Sequence, residues 1–358
     1  MRERLPIYLG IFGVMALSNA VVPILPSFAM GAALQGAVYA AYFLGAFLMV
    51  LPAGLLSDRV GRIPVIRAGL VLTVVSGFLI FAVRDPYLVL AARGLEGIAA
   101  GLFVASAMSW MNTRPNHEHV SGDFMAFLNL GLVTGLLGSG WLAGYLPGER
   151  GGILVFTLLS VIPAVLVFSA RDMGSAAPIQ AGRERLGVRP AARMHLSAVV
   201  LVGVTGAVTA IYPAFTGAAP SFLGMSLAMM NLSTVAAVFA ASRLHLRPIP
   251  TIRAAAILLA GAVLAILSTP AAFVLVGALL GFIMIAQLAF LAESGLPQGA
   301  VMGSYNAASY LGMTLLPFVS GVIAEKVGFL PAFLAIALLA LSMAVVINGC
   351  GCRTRYDS

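Results

Sequence analysis

The sequence predicts an all-helical membrane protein in which twelve transmembrane helices form two six-helix halves. Apolar residues make up 61% of the 358-residue chain and charged residues only 9%, whereas about a quarter of the residues of a soluble domain are charged. The apolar residues form uninterrupted runs of about 20, the length that an α-helix needs to cross a bilayer. Similar short motifs also recur at corresponding places in the two halves.

Twelve apolar runs define the spans, and the longest polar stretch separates the sixth from the seventh. The first run follows MRER and extends to Met30 without a small-residue cleavage site, so we interpret it as a retained span rather than a signal peptide. The spans are expected near residues 6–30, 33–57, 63–84, 86–110, 121–146, 151–170, 195–217, 219–241, 252–269, 271–292, 297–324 and 329–349. The predicted domains are an N-terminal six-helix bundle (1–170), a flexible cytoplasmic linker (171–194), a C-terminal six-helix bundle (195–349) and a cytoplasmic tail (350–358).

The basic residues are concentrated in alternate loops. A net charge of +8 could indicate nucleic-acid binding, but loop placement explains the excess. Sixteen of the 20 basic residues fall on one side of the predicted spans, and only Arg84, Arg150 and Lys326 fall in loops on the other. Because loops rich in Arg and Lys remain in the cytoplasm, we predict a multi-pass plasma-membrane protein with both termini cytoplasmic and no nucleic-acid partner.

Three pairs of segments indicate that the halves arose by duplication. Equivalent spans have the same orientation, so the duplication is parallel, with an axis along the membrane normal. Chance matching of small apolar residues would explain one pair, but not three pairs in the same order. The pairs are residues 12–23 with 202–213, residues 130–143 with 311–324, and Gly97 and Gly101 with Gly277 and Gly281.

The turn between the second and third spans reads GLLSDRVGRIP, from Gly54 to Pro64. This string resembles the cytoplasmic signature of the major facilitator superfamily, and a degenerate copy, ASRLHLRPIP, follows the eighth span. The resemblance covers essentially the whole chain. It implies a secondary transporter that works by alternating access between two halves, without enzymatic activity and without a cofactor.

Each residue of the signature has a physical role that can be stated. Gly54 would let its helix approach a neighbour closely, and Gly61 would permit a tight turn. Arg59 and Arg62 would meet lipid headgroups or acidic partners. The resemblance implies that Asp58 faces the start of the eleventh span, around Pro297 and Gln298, and that this contact gates alternating access. The alternative is that these charges only anchor the loop in the cytoplasm.

The fourth span contains RGLEGIAAG, from Arg93 to Gly101. It is similar to a second signature of the same superfamily, with Glu96 at the usual glutamine position. Arg93 and Glu96 lie one turn apart on one helix face, so they can pair. Charged residues inside a membrane usually serve a function, so both are candidates for proton coupling or solute contact. A permanent, purely structural ion pair is the alternative.

The fifth span contains GLVTGLLGSGWLAG, from Gly131 to Gly144. It resembles the antiporter signature of the drug:proton exporters, with two departures: Leu136 replaces a proline and Ser139 replaces a glycine. A proline reappears as Pro317 in the eleventh span. Glycines at this spacing also permit close helix packing without any role in antiport.

Neutral polar and aromatic residues are the candidates for a solute cavity. Such a lining suits a neutral or amphipathic solute better than a phosphate or a dicarboxylate. Hydrogen-bonded links between helices are the alternative role for each of them. The candidates are Asn19, Tyr39, Asn129, Tyr212, Gln287, Tyr305 and Asn306.

We therefore predict proton-coupled efflux of a small amphipathic compound. An uncoupled or importing facilitator of the same fold is the first alternative, and a non-transporting sensor or enzyme is the second. The sequence contains no HExxH motif, phosphate-binding loop or GxSxG turn, so we expect neither catalytic nor metal-binding residues. The expected partners are the solute, protons and the lipid bilayer, and we expect a monomer.

Overall fold

The computed structural model describes residues 4–112, 117–146, 148–169, 188–244, 246–292 and 298–347, and these residues are almost entirely helical. Helices are favoured because the backbone groups of a lipid-embedded segment must be bonded within the protein. The helices are α1 Leu5–Ala20, α2 Ala32–Val60, α3 Arg62–Ala82, α4 Pro86–Asn112, α5 His117–Leu142, α6 Gly151–Leu166, α7 Val188–Thr216, α8 Pro220–Ser242, α9 Pro248–Ala265, α10 Ala272–Ala292, α11 Gln298–Lys326 and α12 Phe329–Val346.

Eleven of the described helices are long and apolar enough to cross a membrane, and α1 is a shorter apolar helix of 16 residues. A 3-10 segment, Val22–Ser27, extends α1. At rises of about 1.5 and about 2.0 Å per residue, the two pieces have a combined length of about 36 Å along the chain, compared with a hydrocarbon core of about 30 Å. The prediction of twelve spans is confirmed, with the first span divided into two kinds of helix.

The division of the first span has a local cause. Pro23 and Pro26 carry no backbone N–H and cannot continue the hydrogen bonding of an α-helix. Ile24 accordingly leaves helical geometry, with φ −112° and ψ 18°. The chain therefore turns near the end of α1 instead of running as one straight helix to residue 30.

The described chain forms two compact units. The first contains α1 to α6 together with residues 209–228, which are the end of α7 and the start of α8. The second contains the earlier part of α7, α8 from Met229, and α9 to α12. Most of the predicted linker (171–194) and the whole predicted tail (350–358) lie outside the described residues, so the predicted domain limits stay a prediction.

Both units contain the same two glycine-mediated helix contacts. In the first unit, Gly97 of α4 lies against the backbone of α2, and Gly131 of α5 against Phe12 of α1. In the second unit, Gly277 of α10 lies against the backbone of α8, and Gly312 of α11 against α7. Glycine permits such close approach because it has no Cβ. Duplicated sequence motifs thus make corresponding contacts in each unit.

Arg150, directly before α6, joins the residue that follows α3 to the end of the 3-10 segment. Only 7% of its surface is exposed. Its guanidinium donates hydrogen bonds to the carbonyls of Val83 and Ser27, the latter at 3.1 Å, and lies 4.3 Å from the Phe28 ring centroid. Burial, and to a lesser extent the nearby Arg84, lowers the pKa of the Arg150 guanidinium. These bonds give a structural reason for a basic residue in one of the loops where the sequence has few basic residues.

Candidate functional site

The candidate site centres on an ion pair in the middle of α4. Arg93 donates a hydrogen bond from Nη1 to Oε2 of Glu96, one turn further along the helix. Their side chains are 2% and 1% exposed. Breaking a buried ion pair by removing one partner is strongly destabilising, so the two charges are expected to depend on each other.

Two neighbouring helices complete the surroundings of Arg93. Nη1 of Arg93 also donates to the carbonyl of Ser18 in α1, at 3.3 Å. The guanidinium carbon lies 5.0 Å from the centroid of the Tyr42 ring of α2, a distance at which a cation is attracted to an aromatic face. Tyr39 of α2 lies near Arg93 and near the Thr209 side chain. Arg93 therefore joins α1, α2 and α4 around one charge.

The ion pair is not fully satisfied. Among the described residues, Oε1 of Glu96 and Nε of Arg93 are buried without a hydrogen-bond partner. A buried polar group left unbonded costs about 1–3 kcal/mol, and such groups in a native protein call for a chemical explanation. One acceptor and one donor in the centre of the first unit thus remain open to a proton, a water molecule or a polar solute group.

Small residues allow α2 and α4 to approach closely enough to form this site. A Cβ on Gly97 would overlap the Tyr42 carbonyl, and one on Gly101 would lie 2.9 Å from Cβ of Met49. Gly45 of α2 faces the backbone of α4 in the same way. The position of the Tyr42 ring over Arg93 therefore depends on glycine in both helices.

We expect Gly97→Ala to destabilise the protein by about 1–3 kcal/mol, the range typical of overpacked interiors. The added methyl group has no space beside the Tyr42 carbonyl and would push α2 away from α4. The matched control is Gly261→Ala in α9, where no described atom lies within 4 Å of the new methyl group. That change should be neutral or slightly stabilising, because alanine favours helix. Thermal unfolding of the purified variants measures the difference, and equal midpoints would show that the α2–α4 contact is not tight.

The second unit contains a separate buried polar network. The Tyr305 hydroxyl of α11 donates to Oε1 of Gln287 of α10 at 3.1 Å, and Gln287 donates to Ser197 of α7 at 2.9 Å. Gln287 and Ser197 are 0% exposed and Tyr305 is 3% exposed. Nε2 of His195 lies 2.8 Å from the Ser304 hydroxyl on the same two helices, α7 and α11. In this conformation Gln287 and Tyr305 link helices to each other.

The remaining cavity candidates are dispersed over four helices. Asn19 donates to the Met15 carbonyl at 3.1 Å and Asn129 to the Met125 carbonyl at 2.8 Å, each within its own helix. Tyr212 is buried, with its ring 6.2 Å from that of Phe215, and Asn306 is half-buried on α11. Of the seven candidates, Asn19 lies next to Ser18, whose carbonyl accepts a hydrogen bond from Arg93, and Tyr39 lies near Arg93.

The predicted gating residues surround the turn between α2 and α3. Gly61 has φ +92°, a conformation that favours glycine, so the predicted tight turn is present. Asp58 and Arg59 are exposed in the last turn of α2, and Nε of Arg62 donates to the Ser109 hydroxyl of α4 at 2.9 Å. Arg62 therefore has a protein partner within its own unit.

One expectation for this turn is not met within the described residues, and a second is not tested there. No described heavy atom lies within 4 Å of the Cβ position at Gly54, so the expected close approach is absent there. The residues that Asp58 was expected to face, Pro297 and the side chain of Gln298, lie outside the described part of the chain. The gating contact therefore stays a prediction.

Three features of the site could not be predicted from the sequence. The Ser18 carbonyl carries no side-chain signal, Ser197 and His195 belong to an otherwise ordinary span, and Thr209 lies far from Tyr39 in the chain. Of these residues, only His195 has a sequence signal, because it is a single histidine in an apolar run.

Several solved structures have the same fold as this chain. A bacterial homologue of the human lysosomal transporter Spinster has a TM-score of 0.80 at 15% identity, with 98% of this chain and 95% of that chain covered. The POT family transporter PepTSo has a TM-score of 0.76 at 12% identity, with 97% of each chain covered. The nucleoside transporter NupG has a TM-score of 0.72 at 17% identity, with 98% and 99% covered.

Sequence comparison identifies the family. An uncharacterised MFS-type transporter of Mycobacterium tuberculosis, found in two strains, is 30% identical over 148 residues, which are 38% of this chain and 21% of the relative. The chain thus aligns with about a fifth of the length of the curated relatives it matches. The sequence profile of the Major Facilitator Superfamily matches residues 7–305. The chain therefore belongs to the Major Facilitator Superfamily of membrane transporters.

Proposed function

We propose that this transporter exports a small amphipathic compound in exchange for protons, with Glu96 as the coupling group. The observation that carries the proposal is the buried Arg93–Glu96 pair, in which one carboxylate oxygen has no partner among the described residues. Ionisable groups inside a membrane are costly and are typical of proton relays and solute pathways. A fully bonded pair would support a structural role alone, whereas the open oxygen supports proton exchange.

The surroundings of Glu96 suit a group that alternates between two protonation states. Burial disfavours the carboxylate, and the adjacent guanidinium favours it. A proton would enter from one aqueous phase when the site opens to that side, and leave to the other phase after the conformational change. Arg93 also contacts the Ser18 carbonyl and the Tyr42 ring, so its charge would retain these two partners when Glu96 is protonated.

The groups around the pair favour a solute with both apolar and polar parts. Tyr39, Tyr42 and Asn19 present aromatic and amide surfaces rather than further charges. A pocket of this composition binds neutral or amphipathic molecules, with a few polar groups setting their orientation. Tyr212 and Asn129 are proposed as more distant parts of the same path.

The proposed transport cycle is alternating access between a first half, 1–170, and a second half, 195–349. The residues at the α2–α3 turn, from Gly54 to Arg62, would bias the cycle by stabilising one of its states. The charge pattern supports a plasma-membrane protein with both termini cytoplasmic, because basic residues dominate the loops on that side. We propose that the protein acts as a monomer.

Transport assays on the purified protein in liposomes test this function. A thermal-shift screen first identifies compounds that bind, because a ligand stabilises the folded state that it binds. Uptake of a binding compound is then measured with and without an imposed pH gradient, and compared with counterflow in the absence of a gradient. Accumulation only with the gradient would support proton coupling. Counterflow that the gradient does not change would identify an uncoupled facilitator and reject the proposal.

A further inference from the structure

The last turn of α1 has a carbonyl without its usual helical donor. In a continuous helix the Ala20 carbonyl would accept from the N–H of residue 24. Here α1 ends at Ala20, and the N–H of Ile24 donates to the Val21 carbonyl at 3.2 Å. The cause is the proline at position 23, which forces the 3-10 geometry that follows. The Ala20 carbonyl must therefore find a donor outside its own helix.

Ser139 of α5 provides that donor. Its hydroxyl lies 2.6 Å from the Ala20 carbonyl oxygen, and both residues are 0% exposed. Two glycines bring α5 close enough for this bond: a Cβ on Gly131 would lie 2.5 Å from the Phe12 carbonyl, and Gly135 faces the Ala16 backbone at similarly close range. Side chains from two helices therefore hold the end of α1, since Arg93 of α4 binds the Ser18 carbonyl two residues earlier.

The second unit shows that the duplicated segments of α5 and α11 do not by themselves produce a bond like that from Ser139 to Ala20. Ser320 of α11 occupies the position that corresponds to Ser139, but its hydroxyl donates to the Pro317 carbonyl of its own helix at 3.1 Å. In the same half, α7 continues past Pro213 to Thr216, whereas α1 stops three residues before Pro23. Equivalent residues thus make a bond between helices in the first unit and a bond within one helix in the second.

We propose that Ser139 is a positioning residue. Its bond to Ala20 would pass to α5 the movement of the end of α1 that follows protonation of Glu96. This inference rests on the proposed function. When Glu96 gains a proton from the aqueous phase, it loses its charge and holds Arg93 less tightly. The guanidinium can then shift toward the Ser18 carbonyl and move the end of α1. The Ser139 bond would make α5 follow, and loss of the proton would reverse the movement.

The groups that face the ion pair are consistent with a single titrating site. Among the described residues, Arg93 is the charged group that acts on Glu96. Helix α2 faces Arg93 with Tyr39 and Tyr42, and α1 faces it with the Ser18 carbonyl. The charged residues of α3 and α5 whose contacts are resolved are Arg62, bonded to Ser109, Arg67, bonded to the Val167 and Phe168 carbonyls, and Asp123, bonded to Tyr8. Ser109 lies about four helical turns beyond Glu96 in α4, and Tyr8 about three turns before Ser18 in α1.

A distance measurement in the full chain tests this inference without a known solute. Cys350 and Cys352 are replaced by Ser, and spin labels are attached to Met30→Cys and Tyr145→Cys, which are 93% and 70% exposed and follow the ends of α1 and α5. Distances are recorded in nanodiscs at about pH 5 and about pH 8.5, on either side of the range where perturbed carboxyl groups titrate. The unsubstituted background should show two populations whose ratio changes by about threefold or more with pH.

The variants separate the possible outcomes. Ser139→Ala should abolish the pH-dependent change, Ser139→Thr should retain it because the hydroxyl remains, and Ser320→Ala should behave like the background. Ser139→Gly removes the hydroxyl without added bulk and replaces the alanine variant if that fails to fold. A normal response of the alanine or glycine variant would overturn the role of Ser139, provided that Glu96→Gln abolishes the response. A normal response of Glu96→Gln would instead overturn the proposed coupling group itself.

Discussion

Replacement of Glu96 by Gln should abolish solute flux driven by a pH gradient and leave solute binding measurable. Glutamine keeps the shape of the side chain and an oxygen that Arg93 can bind, but it cannot exchange a proton. Arg93 also keeps its bond to the Ser18 carbonyl and its contact with the Tyr42 ring, so we expect the site to remain folded. The measurement is initial uptake into liposomes with an imposed gradient, and binding is measured by thermal shift on the same preparation.

The matched control for this variant is Glu325→Gln. Glu325 is an exposed acid in the last turn of α11, so its neutralisation should leave driven flux close to that of the unmodified protein. If Glu96→Gln transports as well as the control variant, Glu96 does not carry the coupled proton. The Arg93–Glu96 pair would then have a structural role.

Arg93→Gln should cause the largest loss of stability among the single substitutions considered. It leaves the Glu96 carboxylate buried beside no cation, and the removal of one partner of a buried ion pair costs about 3–5 kcal/mol. The double variant Arg93→Gln/Glu96→Gln should recover much of this loss, because neither charge then remains buried. Thermal midpoints and the yield of monodisperse protein in detergent measure both effects.

Arg67→Gln is the control for loss of an arginine in a similar setting. Arg67 of α3 also binds backbone carbonyls, those of Val167 and Phe168 just after α6, and lies 5.3 Å from the Phe168 ring, but it is partly exposed. Water can replace its bonds, so the expected loss is under about 1 kcal/mol. A double variant no more stable than Arg93→Gln would show that the ion pair is not the source of the effect.

The fold could be predicted from the sequence because the bilayer restricts the possible structures so strongly. Runs of about 20 apolar residues in a chain with few charges leave little choice but helices. The signature around Gly61 further narrowed the fold to one superfamily, and the left-handed backbone of that glycine agrees with the sequence pattern. The pairing of Arg93 with Glu96 followed from their spacing alone, since residues three apart share a helix face.

The contacts between distant helices could not be predicted in the same way. Ser139 binds the Ala20 carbonyl across 119 positions, and Gln287 binds Ser197 across 90. Such bonds depend on the rotation and depth of each helix, which apolar residues on all sides do not specify. The first span contains Pro23, but the sequence did not show that α1 would end at Ala20 and leave a carbonyl for α5 to bind.

Proton movement driven by the solute itself tests the central claim most directly. The purified protein is reconstituted into liposomes that contain a pH-sensitive dye, with no initial pH gradient, and a solute gradient of a compound from the thermal-shift screen is imposed. An exchanger must move protons against the direction of solute flow, so the internal pH should change, and Glu96→Gln should abolish the change. Solute flow without any change in internal pH would contradict the account.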